Sequence, residues 1–445
     1  MSMPELGDRR SRRRLIAVGI AVLVAVAVAV LPSFWSTLFR GSAPRGEPTL
    51  TPSPTATLDT SPPPTAVSLP PGVQDLLARR DRAIVQDDLG TLSALTGTAA
   101  SSSSMAASQR RLQRNLVALP LDQWQTTVRS WTPEASGQLE LRVHVRYRYQ
   151  GWTDKPWVAS RRMTLTRSPA GWSVVADEGT GRYAQPWDVD TITPTQRGSV
   201  LLLRMGADST SLTSSDVVTR TNRAVTEVTT FWGTDWDRRV VAVLPASQAQ
   251  LASMLRGRTR NYDALAALAT TEIYGDDGTA PTPTVWINPS GFQRISGLGR
   301  SIVLRHEVLH VATRASVPNR FAVWWEEGVA EYLGYRDTKV PVGIVARDLL
   351  AAQRSGRAPL TAPENADFRP GSSSLLVSYE WSWWTVRLLV DQYGEAAVKQ
   401  VYRRALADPN PDGAINRALP LEIGVSVSQV EQLSRAALRA VARAS

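Results

Sequence analysis

Three histidines are spread over 445 residues, and two of them, His306 and His310, stand four apart in the stretch LRHEVLHVATR. A glutamate, Glu307, directly follows the first. On a helix, positions four apart lie about 40° apart around the axis and about 6 Å along it, so both imidazoles can reach one ion. Glu307 projects about 100° from His306, too far round to be an equal ligand and well placed beside a water on that ion. H-E-x-x-H on a helix is in this sense a zinc site with a general base built in. The rival reading is a surface helix with histidines four apart by accident. With so few histidines that accident is rare, on the order of one chain in a thousand.

Zinc needs a third protein ligand and an open fourth position. Cysteine is absent, so thiolate ligands and disulfides are excluded. One zinc-protease pattern continues as H-E-x-x-H-x-x-G-x-x-H, but the last two of those positions are Thr313 and Ser316 here, which excludes that class. The other solution is a glutamate on the next helix. AVWWEEGVAEYLGY supplies it, after a short turn containing Pro318 and Asn319.

With HEVLH followed by WWEEGVAEYLG, a W-x-x-E-G-x-A-E-Y type of pattern, the chain resembles the gluzincin superfamily, and more closely its peptidase-MA-like branch. The resemblance covers roughly residues 195–440 and extends weakly to SYEWSWWTVRLLVDQYG and LEIGVSVSQVEQLSR. It implies that the glutamate before the glycine, Glu327, completes the zinc ligand set with His306 and His310. The gap of sixteen residues between His310 and Glu327 is slightly shorter than in the aminopeptidase relatives, which bears on the loop. The resemblance further implies a tyrosine that donates to the oxyanion. Tyr379, in the stretch similar to the family's downstream helix, is the candidate, with Tyr332 as the alternative.

Helical geometry adds two expectations. Glu331, four residues after Glu327 on the same face, could orient a histidine's far nitrogen. Glu326 points about 100° away and is expected at the surface or in a cap. The implied activity is that of a zinc (Zn2+) metallopeptidase: the metal polarises the scissile carbonyl, and Glu307 moves the water's proton to the leaving amine. The partner would be a peptide or protein substrate. TVWINP, before the site helix, reads either as a sheet edge that could take up an extended peptide or as a plain core strand.

The elements that must position these residues follow from periodicity. Helical patterns run over Arg300–Thr313 and Phe321–Tyr335, with a further helix at about Ser214–Phe231 and a short one at LASML. VLLLRMG, RVVAVLP and TPTVWINP read as strands, and more helix follows to the C-terminus. This predicts a small mixed sheet passing into a mainly helical lobe, over residues 183–445. Upstream, over 73–182, helical spacing in VQDLLARRDRAIV and around Gln109–Val117 gives way to alternating stretches such as LELRVHVRYRYQ and GWSVVADEG. That is an α+β arrangement of the cystatin-like or nuclear-transport-factor-like kind, expected to serve as an accessory domain. His144 lies inside one of its strands with no histidine or acid nearby in sequence, and one imidazole does not make a site.

The net charge of +10 is uneven. Residues 1–40 hold six arginines against Glu5 and Asp8, and the rest is thinly spread, so no nucleic-acid partner is expected. The arginines of RRSRRR directly precede an apolar run, Leu15 to Leu31, about 26 Å of helix. This predicts an N-terminal transmembrane helix and a cell-membrane, single-pass protein with its N-terminus cytoplasmic and its later domains extracytoplasmic. A cleaved signal peptide is the rival, but a small-x-small cleavage boundary is missing. Residues 41–72, rich in Pro and Thr, read as a disordered linker. The fold class expected overall is α+β, with that transmembrane helix, the cystatin-like domain and the gluzincin-like domain. A non-catalytic envelope binding protein that keeps a zincin scaffold is the alternative function.

Overall fold

VLLLRM and VVAVL contain almost nothing polar, and strands of that composition need cover on both faces. They are neighbouring inner strands of a five-stranded sheet, VVAVL at its centre. The computed structural model describes residues 68–444, apart from 98–102, 135–136, 153–154, 182–183, 207–211, 256–265, 271–282, 315–321 and 370–371. Two compact units divide at Ile192/Thr193.

The first unit opens with helices α1 (Val73–Val85), α2 (Leu89–Ala94) and α3 (Ser103–Ala118). Asp88 caps α2 by accepting from the Thr91 amide. Strands β1 (Leu121–Pro133), β2 (Leu139–Tyr149), β3 (Trp157–Ser168) and β4 (Gly171–Gly179) follow as an antiparallel meander, and α4 (Pro186–Val189) closes the unit. β2 shows why one face is core: Leu139, Leu141, Val143, Val145, Tyr147 and Tyr149 are buried at alternate positions. His144 takes one of the intervening positions, half-buried and in register with Thr127 and Ser160.

The second unit carries β5 (Ile192–Arg197), β6 (Val200–Met205), α5 (Ser214–Trp232), β7 (Val240–Leu244), α6 (Gln248–Met254), β8 (Ala267–Thr270) and β9 (Thr284–Ile287). Helices α7 (Pro289–Arg294), α8 (Gly297–Arg314), α9 (Val323–Tyr335), α10 (Val342–Val345) and α11 (Arg347–Arg354) come next. The last four are α12 (Leu375–Tyr393), α13 (Glu395–Leu406), α14 (Ala414–Ile423) and α15 (Val427–Ala444). The sheet order is β5-β6-β7-β9-β8, with β6, β7 and β9 parallel and β8 antiparallel to β9. Thr213 caps α5, and the helix buries Val217, Val218, Thr221, Ala224, Val225 and Val228 before Gly233 ends it at φ 108°.

Helix α8 packs on α5 and α9, and α9 packs on α12. Two glycines permit the close approach of α9 to both neighbours. A Cβ on Gly328 would stand 2.7 Å from the Ser382 carbonyl oxygen of α12, and one on Gly334 would stand 3.3 Å from the Ile302 carbonyl oxygen of α8. The glycine after Glu327 is therefore a packing requirement that fixes α9 between the other two helices.

Mixed α/β content agrees with expectation, but the membrane element does not. Among the described residues no helix is long and apolar enough to cross a membrane. Residues 15–31, where the sequence put the span, lie outside the described residues, as does most of the 41–72 linker. The fold class is corrected to mixed α/β, with no helix among the described residues able to cross a membrane, and the single-pass membrane localisation is withdrawn with it. Arginines before an apolar run are a property of composition, and no element of the described fold answers to it.

Candidate metal centre

Every residue of α8 from Ile302 to Thr313 is buried, so this helix belongs to the core and not to the surface. The reading of an accidental surface pair is thereby overturned. The side chains of His306, Glu307, His310 and Glu327 are all at 0% exposure. Placing four such groups in a core is costly unless each finds a partner or an ion.

Three of them find one another. Nε2 of His310 lies 2.9 Å from Nε2 of His306, and Oε2 of Glu327 lies 3.1 Å from the first ring and 3.2 Å from the second. The three atoms make a nearly equilateral triangle. Tetrahedral zinc, with bonds of about 2.0–2.2 Å, asks for ligand atoms roughly 3.3 Å apart. Each corner would therefore move outward by only a few tenths of an ångström. Two imidazole nitrogens aimed at each other with a carboxylate oxygen between them is the donor set that zinc takes, and the residues fit the ion.

The electrostatics agree. Burial drives His306 towards neutrality, but its contacts with Glu327 and Glu331 outweigh that and hold its pKa up to about 10. His310 is buried too, stands near the Arg314 cation, and is pushed well below the usual imidazole range. Burial opposes charge on Glu327, yet the two histidines hold it well below the ordinary carboxylate value.

Glu307 is different. Burial pushes its carboxyl up to about 7, against the pull of His306. Neither of its oxygens has a hydrogen-bond partner among the described residues. The Ala269 amide of β8 acts on it without meeting hydrogen-bond geometry. A buried carboxylate with two unused acceptors beside a triangle of donors is poised to receive a proton.

Around this centre, Glu331 places Oε1 3.4 Å from Nδ1 of His306, the ring nitrogen away from the triangle. Tyr379 lies on α12, 4% exposed and edge-on to Phe368. Tyr332, the alternative, turns its hydroxyl to donate to Glu395 at 2.8 Å. Glu326 departs from expectation: it is 3% exposed and accepts from Arg314 at 3.1 Å, so it is neither a surface residue nor a cap. α9 is apolar on all sides of its first turn, which leaves Glu326 no solvent face. Arg314 was not singled out from the sequence. The signal available was a cation four residues after His310, on the same helical face, facing two consecutive glutamates.

β9 is the core strand of its two alternatives, since it lies between β7 and β8. Its buried Val285, Trp286 and Ile287 explain why. β8 is the outer strand on that side, and it carries Ala269.

No protein-family model matches the sequence, and no curated protein sequence matches it. Among solved structures, the crystal structure of a mutant M1 zinc metallopeptidase from Deinococcus radiodurans is similar at 13% identity, with a TM-score of 0.31. The match covers 61% of this chain and 58% of that one, so less than two thirds of that protein's length is spanned. A likeness this slight carries no argument about what this chain does.

Proposed function

We propose that this chain is a zinc-dependent peptidase of the gluzincin kind, with His306, His310 and Glu327 holding the metal. The observation that carries the reading is the buried triangle of 2.9, 3.1 and 3.2 Å beside the unpartnered carboxylate of Glu307. Bound there, zinc would supply Lewis acidity towards a carbonyl and raise the acidity of water. Glu307 takes a proton from the attacking water and returns it to the departing amine. Its burial suits both halves of that task, because a base poised near neutrality gives a proton back readily. Glu331, 3.4 Å from Nδ1 of His306, would on closing to hydrogen-bond distance fix the tautomer that leaves Nε2 for the metal. Tyr379 is the proposed donor to the oxyanion, since the Tyr332 hydroxyl is committed to Glu395. The substrate is a peptide, laid in extended form beside β8, whose outer edge brings Ala269 next to Glu307.

The test pairs metal content with turnover on the purified full chain. Elemental analysis should find about one zinc per chain in the wild type and a large loss in His310→Ala. A peptide library should be cut by the first and not by the second. A wild type that takes up no zinc sinks the proposal, as does a zinc-loaded wild type that cuts nothing.

A further inference from the structure

The two oxygens of Glu327 face different partners. Oε2 is a corner of the triangle, while Oε1 lies 3.5 Å from Nη2 of Arg314. That same Nη2 donates to Oε2 of Glu326 at 3.1 Å. Arg314 is the last residue of α8, one turn beyond His310, and Glu326 stands in the first turn of α9 with Glu327 directly after it. One guanidinium nitrogen therefore spans two consecutive carboxylates across the helix pair. The glutamate side chains are 4% and 0% exposed and that of Arg314 is 15% exposed, so water screens this contact little.

We propose that Arg314 is a positioning residue of the metal centre: by holding the outer oxygen of Glu327 against Glu326, it presents Glu327 as a one-oxygen ligand. This rests on the zinc reading above and deepens it. A four-coordinate zinc with one open position needs three single-atom ligands from the protein. Calcium takes six to eight oxygens at longer distances and often grips a carboxylate by both. With Oε1 drawn towards the Arg314 cation at 3.5 Å, Glu327 turns its second oxygen away from the triangle, which favours a small tetrahedral ion. The pair also explains why two glutamates in succession sit in a core: the cation between them offsets their repulsion.

The experiment compares wild type, Arg314→Lys, Arg314→Met and Glu326→Gln, all as the full chain. Zinc affinity is measured by competition with a chelator, and cobalt(II) is loaded as a spectroscopic probe of coordination number. Arg314→Met should weaken zinc binding by about 10- to 100-fold, the range for a residue that holds a ligand in place. Its cobalt spectrum should lose visible intensity as the freed oxygen enlarges the coordination shell. Arg314→Lys should recover part of both effects, and Glu326→Gln should shift them least. Melting of the metal-free proteins is recorded alongside. A lowered melting temperature with unchanged zinc affinity and cobalt spectrum would mean that Arg314 merely supports the fold, and would overturn the proposal. Should Arg314→Met fail to fold, an unchanged cobalt spectrum in Arg314→Lys is the overturning result. If the wild type holds no zinc, both readings fall together; if it holds zinc no more tightly than folded Arg314→Met, only the role of Arg314 falls.

Discussion

Each unit of this protein buries a cluster of charged side chains, and the two clusters are built on opposite principles. In the first unit, Arg161 donates to Asp177 at 2.6 Å and grips both oxygens of Asp188 at 2.8 and 3.1 Å. Arg80 closes the set on the other oxygen of Asp177. Two cations meet two anions, and nearly every polar atom is matched; Arg80 Nη1 lacks a hydrogen-bond partner. In the second unit, two imidazoles and several carboxylates converge, with Arg314 at one side. Among the described residues, neither oxygen of Glu307 has a hydrogen-bond partner, nor has Nδ1 of His310. The first cluster is complete in itself and holds β3, β4, α1 and α4 together. The second leaves buried acceptors unused among the described residues, and under the proposed zinc reading an ion and a substrate would complete it.

The sharpest way to break that contrast is Glu307→Gln, which swaps an unused buried carboxylate for an amide of the same shape. Zinc content should stay at the wild-type level, because Glu307 is no corner of the triangle. Peptide cleavage should fall by about 10²- to 10⁴-fold, since an amide cannot accept and return the proton. The two readouts come from one sample, and undiminished cleavage with zinc bound would remove Glu307 from the role of base.

Next in size is Arg161→Met, the matching change in the complete cluster. It strands Asp177 and Asp188 in the core, and breaking one partner of a buried ion pair costs about 3–5 kcal/mol. Urea unfolding of the first unit should register that loss while zinc affinity stays as it was. If Arg161→Met leaves the unfolding midpoint in place, the self-completing picture of that cluster is wrong. The expected signs differ because the first cluster pairs its charges within the fold, whereas the second holds a buried carboxylate that the fold leaves unpaired among the described residues.

The motif itself was legible because an i, i+4 pair needs only the local geometry of one helix, and α8 supplies it whatever surrounds it. Glu331 was marked by the same spacing on α9, four residues after Glu327, although its reach to His306 is a contact between two helices. What the sequence left hidden depends on which faces are covered. Glu326 looked like a surface residue because helices in isolation are assumed to keep a wet side. α9 has none at that turn, being wedged between α8 and α12 through Gly328 and Gly334. Arg314 escaped notice because its partners lie twelve and thirteen residues away on another helix. β8, ALAT, is only four residues long, three of them small, so nothing marked it as the outer strand beside the site. The arginine-flanked apolar run near the N-terminus was read by composition alone, and among the described residues no helix long and apolar enough to span a membrane answers to it.

The smallest effect, and the one that separates the clusters by sign, is the pH dependence of stability in metal-free protein. The carboxyl of Asp177 is buried, but Arg161 and Arg80 hold its pKa below the ordinary value of 3.8. A depressed folded-state pKa means that the unfolded chain binds more protons, so its stabilising share is present above 3.8 and is lost as pH falls through the folded value. Glu307 runs the other way. Burial raises its pKa from 4.5 to about 7, so the folded state holds the proton longer than the unfolded one. Its share is fully present below 4.5 and is lost as pH rises through about 7. Urea midpoints taken from pH 3 to pH 8 should therefore show Glu307→Gln gaining on the wild type between 4.5 and about 7, and holding a constant margin above. Asp177→Asn should instead lose ground at every pH above 3.8 and draw level only in acid. Parallel profiles for wild type and Glu307→Gln would show that Glu307 is not held in a desolvated, unpaired state, and the contrast between the two clusters would lose its physical basis.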